Sequence, residues 1–313
     1  MKLLLPTNVP LNPVLPEGVT AVYYDVAEPI PQEHVDAEAI VIWGSSARLL
    51  LDSARRLTRL RWIQSLAAGT DAIVAAGFTP DAVITSGRSL HDAPVTEHTL
   101  ALILAAVRRL PELFEAHIAH RWAGEIGGLQ PEYNPDHLTT LRGARVTVWG
   151  FGSIAAQLAP LLTALGAQVT GVARSPGERA GYPVIADSAL EALLPETDLL
   201  VMILPGTPGN DGALSRERLA LLSPRSWVVN VGRGSTVDED ALADALEAGA
   251  LGGAAIDVTR VEPLPAESRL WSAPRLILTP HAAGGRPLGS DQLIAENAAA
   301  LVAGTPLRNV VEG

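Results

Sequence analysis

Arg233, Glu262 and His281 stand far apart in the chain but share one kind of position. Arg233 follows the apolar run Trp227-Val-Val-Asn-Val231. Glu262 comes shortly after Ala254-Ala-Ile-Asp-Val258, and His281 follows Leu276-Ile-Leu-Thr-Pro280. Each run reads as a buried parallel strand, so each candidate lies at or just beyond a C-terminal strand end. In open α/β sheets that edge is where ligands bind. A guanidinium grips a carboxylate through two parallel hydrogen bonds. A carboxylate beside an imidazole fixes its tautomer and suits it to give up a proton. Together the three make a site that holds an anion and moves a proton. Taken singly they say less: an Arg in a turn is usually a surface residue, and a His before small residues is usually structural. Two features sharpen the reading. Gly232 and Gly234 on either side of Arg233 would let the backbone come close to a ligand. Pro263 and Pro265 restrict the loop that carries Glu262.

Strands of this kind need a sheet around them. In residues 1–95, Ala39-Ile-Val-Ile-Trp43, Leu60-Arg-Trp-Ile-Gln-Ser65 and Ala82-Val-Ile-Thr85 each stop at small residues, which points to a small parallel α/β domain. From 95 to 122 the spacing turns helical, through Leu100, Ile103, Leu104 and Val107 and on to Leu110, Leu113, Phe114 and Ile118. Pro111 kinks this helix or starts a second one. Residues 123–143 read as a loop or arm. Strand-like runs then recur at 145–149, 168–172, 198–204, 226–231, 253–258 and 275–279. The helix after the first of them carries an apolar stripe of Ile154, Leu158, Leu161, Leu162 and Leu165. Such βα alternation gives a doubly wound parallel sheet. A last helix over 290–303 is expected to pack back on the N-terminal domain. The expected fold is therefore α/β, with two Rossmann-like doubly wound domains.

Between the first two strands of the larger domain lies Gly150-Phe-Gly152-Ser-Ile-Ala155, a G-x-G-x-x-G/A turn after a strand and before a helix. Gly150 permits the tight turn, and Gly152 lets the backbone approach a pyrophosphate. Ala155 stands where a third glycine would serve packing. The helix N-terminus beyond offers free N–H groups to phosphates, so Gly150, Phe151, Gly152, Ser153 and Ile154 are candidate contacts of a dinucleotide. An acidic residue at the end of the second strand would bind the ribose 2′-hydroxyl of NAD. Here the strand runs out into Ala173-Arg174-Ser175. A guanidinium and a hydroxyl suit a 2′-phosphate, so NADP is preferred, with NAD the other possibility.

Bulk properties narrow the class. A chain of 313 residues is long enough for two cored domains. A net charge of −11 leaves no basic stripe for a phosphate backbone, so neither nucleic acid nor an anionic membrane surface is an expected partner. The absence of cysteine excludes disulfides, thiolate nucleophiles and Cys-ligated metals. His117 and His120 share a helix face but have no fixed acidic partner, so no metal site is expected. Met1-Lys-Leu-Leu-Leu-Pro6 is too short for a signal peptide, and no run approaches the ~18 apolar residues of a membrane span. The expectation is a soluble cytoplasmic protein.

Ala68-Gly-Thr-Asp71, Val95-Thr-Glu-His98, Gly150-Phe-Gly-Ser-Ile154, Leu204-Pro-Gly-Thr207, Asn230-Val-Gly-Arg-Gly234, Asp257 to Pro265 and Thr279-Pro-His281 occur in one order along most of the chain. In this the sequence resembles the D-isomer-specific 2-hydroxyacid dehydrogenase family, in particular its glyoxylate/hydroxypyruvate reductases. The resemblance implies a discontinuous substrate domain, 1–97 with 284–313, and a dinucleotide domain, 98–283. Arg233 would hold the carboxylate and carbonyl of a 2-oxo acid. His281 would protonate the carbonyl oxygen during reduction to the 2-hydroxy acid, with Glu262 as its partner. The backbone at Ala68 and Gly69 would donate to the substrate carboxylate. Asp257 would sit near the nicotinamide carboxamide, with Thr96 lining the same pocket, and Leu204, Pro205, Val231, Gly232 and Gly284 would complete the cofactor surface. A homodimer through 98–142 and a dry cleft between domains are further implications. The segment Pro205 to Asp211 is richer in glycine than is usual for the family.

One branch of that family serves as a nucleotide-sensing corepressor and retains the same three side chains, so a scaffold without turnover is the alternative reading. The absence of long recruiting tails weighs against it. Trp43, Trp62, Trp122 and Trp271 are each able to line a substrate pocket, although Trp more often fills a core.

Overall fold

The computed structural model describes residues 1–131, 134–135 and 137–311. It divides into two units, Met1–His91 with Gly285–Gly313, and Asp92–Gly284. The first division falls six residues before the expected 97/98 boundary, and the second one residue after the expected 283/284. The shift at the first has a physical reason. Asp92–Val107 is one continuous helix, and its Val95, Leu102, Ile103 and Ala106 belong to the core of the second unit.

In the first unit the chain forms β1 (Lys2–Pro6), β2 (Thr20–Tyr24), β3 (Ala39–Ile42), α1 (Ala47–Arg56), β4 (Trp62–Ser65), α2 (Asp71–Ala76) and β5 (Val83–Thr85). The five strands are parallel in the order β2-β1-β3-β4-β5. Strands of a parallel sheet are covered on both faces, which is why β3 and β4 are buried at every position. Helix α1 starts at Ser46, whose hydroxyl accepts from the Leu49 N–H, and it turns Leu49 and Leu50 inward. β1 and β2 were not among the strands expected. Leu3-Leu4-Leu5 is uniformly apolar and short, so it carries no period that tells strand from helix. The C-terminal helix Ser290–Ala303 packs here as expected, with Leu293, Ile294 and Ala298 in one cluster with Leu3, Leu5 and Trp62. Glu312 and Gly313 lie outside the described residues.

The second unit runs α3 (Asp92–Val107), α4 (Leu110–Ile118), α5 (Gly124–Gly127), β6 (Arg145–Trp149), α6 (Ser153–Ala164), β7 (Gln168–Ala173), β8 (Gly177–Arg179), β9 (Tyr182–Ala186), α7 (Leu190–Leu193), β10 (Leu199–Met202), α8 (Arg216–Leu219), β11 (Trp227–Asn230), α9 (Glu239–Glu247), β12 (Gly253–Ile256) and β13 (Leu276–Leu278). Pro111 starts a second helix rather than kinking the first. The expected arm over 123–143 holds the short α5, and its Glu132, Tyr133 and Asp136 lie outside the described residues. On α6 the expected stripe holds at Leu158 and Leu162, but Leu161 and Leu165 are exposed; Ala155 and Ala159 take the core positions instead. The hairpin β8–β9 was not expected from the sequence. Its turn, Ala180-Gly181, has positive φ at both residues but lacks the Asn-Gly or Asp-Gly that marks such turns.

The eight strands lie in the order β13-β12-β11-β10-β6-β7-β9-β8, all parallel except the last pair. Their register sets which loops share an edge. Trp149 pairs with Met202, Met202 with Asn230, Asn230 with Ile256, and Ile256 with Leu278. Five strand ends are thus level, with neighbours about 4.8 Å apart. The loops after β6, β10, β11, β12 and β13 all leave from one edge.

Candidate active site

The loop after β6 is shaped by what lies beside it. Gly150 has φ +99°, and a Cβ there would stand 2.5 Å from the carbonyl oxygen of Ile203, so the position admits only glycine. A Cβ on Gly152 would meet nothing within 4 Å, which leaves open space in front of α6. The N–H groups of the first turn of α6, at Ser153 and Ile154, are of the kind a helix leaves without an internal partner. Ala155 is fully buried, so its methyl packs where a third glycine would have sat. Phe151 has its ring buried among core residues; its N–H donates to Val172 and its carbonyl accepts from Arg179. Its ring thus anchors the turn in the core.

Beyond β7, Arg174 and Ser175 are exposed, as a 2′-phosphate contact requires. The structure adds Arg179 from β8. Its guanidinium donates to the Ser175 hydroxyl at 3.0 Å, to the Ser175 carbonyl at 3.1 Å and to the Phe151 carbonyl at 2.9 Å. The Arg179 guanidinium is therefore held at the Ser175 hydroxyl beside the glycine turn, with the exposed Arg174 next to that serine in the chain. The turn, the open space at Gly152 and this cationic corner fit a dinucleotide carrying a 2′-phosphate. Thr96, buried on α3, is 3.5 Å from the Ile154 carbonyl and so borders the same turn.

The Arg233 loop is tied down at its base. Asn230 Nδ2 donates to the Arg233 carbonyl at 3.1 Å, and Asn230 Oδ1 accepts the Gly232 N–H at 3.0 Å. The Thr236 hydroxyl donates to the same Arg233 carbonyl at 2.6 Å. The flanking glycines are required by packing. A Cβ on Gly232 would lie 2.6 Å from the backbone of Leu204, and one on Gly234 would lie 1.9 Å from the carbonyl carbon of Thr259. They let this loop fit between its neighbours. Leu204 and Val231 are buried, Gly232 with them, while Pro205 is exposed.

Glu262 bridges two loops. Its Oε1 accepts the Thr259 N–H at 3.1 Å, and its Oε2 lies 2.7 Å from His281 Nδ1. A carboxylate accepts, so Nδ1 donates and Nε2 faces away from Glu262 as the second ring nitrogen. His281 itself has φ +51°, a left-handed backbone that side-chain-bearing residues seldom adopt. Asp257 stands behind it, 1 % exposed. Its carbonyl accepts the His281 N–H at 2.7 Å, and its carboxylate accepts the N–H groups of Ala282 and Ala283 and the Thr279 hydroxyl.

Arg233, Glu262 and His281 line one hollow of about 240 Å³ with Gly234, Ser235, Thr259 and Arg260. Arg260 was not expected from the sequence; its guanidinium pairs with Asp211 at 3.1 Å and its N–H donates to Glu239 at 2.6 Å. Burial pushes the Glu239 carboxyl above its ordinary range. No spacing rule pointed to Arg260 or Thr259, because they enter through the backbone contact at Gly234. Ala68 and Gly69 lie in the first unit, in the bend between β4 and α2, and Gly284 is the last residue of the second. Of the four tryptophans considered for a substrate pocket, Trp62 is core and Trp122 and Trp271 are exposed. Trp43 stacks on His91 at 5.4 Å and lines a hollow of about 440 Å³ within the first unit. Among the described residues, no helix is long and apolar enough to cross a membrane.

A family model described as "D-isomer specific 2-hydroxyacid dehydrogenase, NAD binding domain" matches residues 100–283, more than half of the chain. A glyoxylate/hydroxypyruvate reductase A of Serratia proteamaculans is 30% identical over 287 residues, 90% of this chain and 88% of the relative. The crystal structure of a D-isomer specific 2-hydroxyacid dehydrogenase family protein from Aeromonas salmonicida has a TM-score of 0.83 and 27% identity, covering 99% of this chain and 98% of that one. An NADPH-dependent glyoxylate/hydroxypyruvate reductase from Sinorhizobium meliloti, solved with NADP and sulfate, has a TM-score of 0.81 and 25% identity over the same shares.

Proposed function

This chain belongs to the D-isomer specific 2-hydroxyacid dehydrogenase family, and we propose that it reduces a short 2-oxo acid of the glyoxylate or hydroxypyruvate kind with NADPH. The observation that carries the reading is the 2.7 Å contact between His281 Nδ1 and Glu262 Oε2 in one hollow with Arg233. Arg233 grips the substrate carboxylate and draws on the carbonyl oxygen. Because Glu262 accepts the hydrogen bond from Nδ1–H and steadies the imidazolium, His281 delivers its Nε2 proton to that oxygen and is left neutral with its proton on Nδ1. The nicotinamide nucleotide, when bound, supplies the hydride. Gly152, Ser153 and Ile154 are proposed to hold its pyrophosphate, and Arg174, Ser175 and Arg179 its 2′-phosphate. An alkoxide left unprotonated is a strong base, so the proton must be at hand as the carbonyl carbon is reduced.

The test follows absorbance at the reduced-nicotinamide band with glyoxylate, hydroxypyruvate and phenylpyruvate, each against NADPH and NADH. Rapid oxidation of NADPH by one of the small acids supports the proposal. Tight NADPH binding with no turnover of any acid sinks it and favours the nucleotide-sensing scaffold.

We further propose a homodimer joined through 98–142. Leu110, Phe114 and Ile118 recur every fourth residue on α4 and are 37%, 64% and 77% exposed, and Trp122 beyond them is 95% exposed. An apolar stripe of this length on one helix is costly in water and marks an interface. Sedimentation of the native protein and of Phe114→Glu tests it: a native monomer, or a dimer that Phe114→Glu leaves intact, rules the proposal out. The proposed location is the cytoplasm, where reduced nicotinamide nucleotide is replenished; fractionation of cells that finds the protein elsewhere would refute that.

A further inference from the structure

We propose that His98 is a positioning residue for His281 and acts through Thr279 and Asp257; the proposal rests on the reading of His281 as the proton donor. The His281 backbone, at φ +51°, persists only where its surroundings over-determine it. Asp257 does most of that. Its carbonyl accepts the N–H of His281 at 2.7 Å. Its Oδ1 accepts from Ala282 at 2.8 Å, and its Oδ2 from Ala283 at 3.0 Å. A shift of this carboxylate therefore moves the two residues that follow the imidazole.

What aims the carboxylate is a chain of side chains. The Thr279 hydroxyl donates to Asp257 Oδ1 at 2.6 Å, so its proton is committed. His98 Nε2 lies 3.1 Å from the same hydroxyl oxygen, which is left with lone pairs alone on that side. Nε2 must therefore be the donor, and the His98 ring carries its proton there. The same nitrogen is 3.3 Å from Asp257 Oδ1. A hydroxyl is a free rotor unless both its proton and a lone pair are engaged. His98 engages the lone pair and so points the Thr279 proton at Asp257. In this way α3, which carries His98, is linked to the loop after β13, which carries His281.

The experiment compares His98→Ala, His98→Gln, Thr279→Val and the Ala/Val double variant. In His98→Ala, kcat is expected to fall about tenfold, the factor carried by one hydrogen bond of ordinary net strength. The KM for the oxo acid and the Kd for NADPH should stay within about twofold, since ground-state binding is untouched. His98→Gln, whose amide N–H reaches the same oxygen, should recover most of the rate. The double variant should lose no more than either single one. Amide hydrogen exchange at Ala282 and Ala283, followed by NMR without cofactor or substrate, should quicken about tenfold in His98→Ala and stay near native in His98→Gln. Native rate and native exchange in His98→Ala overturn the proposal. So does a His98→Gln as impaired as His98→Ala, or losses that multiply in the double variant, because either marks helix packing rather than a hydrogen-bonded link. If the native protein turns over no oxo acid, the proposed function fails by itself, and the exchange measurement still decides the link.

Discussion

Gly234 and Thr259 meet backbone to backbone: a Cβ on the glycine would stand 1.9 Å from the Thr259 carbonyl carbon and 2.2 Å from its oxygen. That contact joins the loop of Arg233 to the loop of Glu262. Neither neighbour is a flexible side-chain tip, so nothing there yields cheaply. Gly234→Ala should destabilise the protein by about 1–3 kcal/mol and separate the two loops. Thermal unfolding reads the first effect and steady-state kinetics the second. A variant with native Tm and native kcat would show that the contact is not needed.

His281→Gln keeps a polar side chain of similar reach but has no proton to give at neutral pH. Its kcat should fall about 10²–10⁴-fold, while the Kd for NADPH stays within about twofold. Near-native turnover in this variant would mean that another group is the acid.

On the proposed reading, the corner after β7 separates the two nicotinamide nucleotides. Arg174→Asp and Arg179→Ala should each weaken NADPH roughly tenfold or more, the strength of a lost charge-assisted hydrogen bond, and leave NADH nearly unchanged. Fluorescence titration with both nucleotides checks this. Equal losses for the two would remove the argument for a 2′-phosphate.

Strong acid should loosen α9 by releasing Asp244 from its arginine partners. Hydrogen bonds from Arg269 and Arg216, each 2.8 Å long, hold the Asp244 carboxyl below its ordinary range. The folded pKa is thus lower than the unfolded one, so the stabilisation is complete above the ordinary carboxylate range and is lost as pH falls through the depressed value. The cluster is exposed, which keeps the effect small. Asp244→Asn should therefore have a slightly lower Tm than the native protein at neutral pH, and the gap should close in acid. A gap that persisted in strong acid would assign the loss to packing instead.

Much of this molecule is legible in its residues alone. Continuous apolar runs ending at Gly150, Arg233, Asp257 and His281 are readable because parallel strands are buried on both faces and ligand loops leave from one end. The glycine turn is readable because its spacing answers to backbone geometry. The hairpin β8–β9 is not, since it lacks turn residues of the usual type. Nor is the exposure of Phe114 and Ile118, because helical spacing says that residues share a face and not what covers that face.

The sequence by itself determined which chemical groups exist and at which strand ends they stand. Local physics decides that much, through strand burial, glycine turns and caps. Tertiary structure alone decided which groups touch. Glu262 reaches His281 because the ends of β12 and β13 are in register, and Arg233 joins them because Gly234 admits the Thr259 backbone. Arg179 on the Phe151 carbonyl, 28 residues away, and His98 behind Thr279, 181 residues away, depend on contacts that the local order of the chain does not set. A spacing rule carries no information about such contacts, since their energies arise only once the sheet has brought the partners within hydrogen-bonding distance.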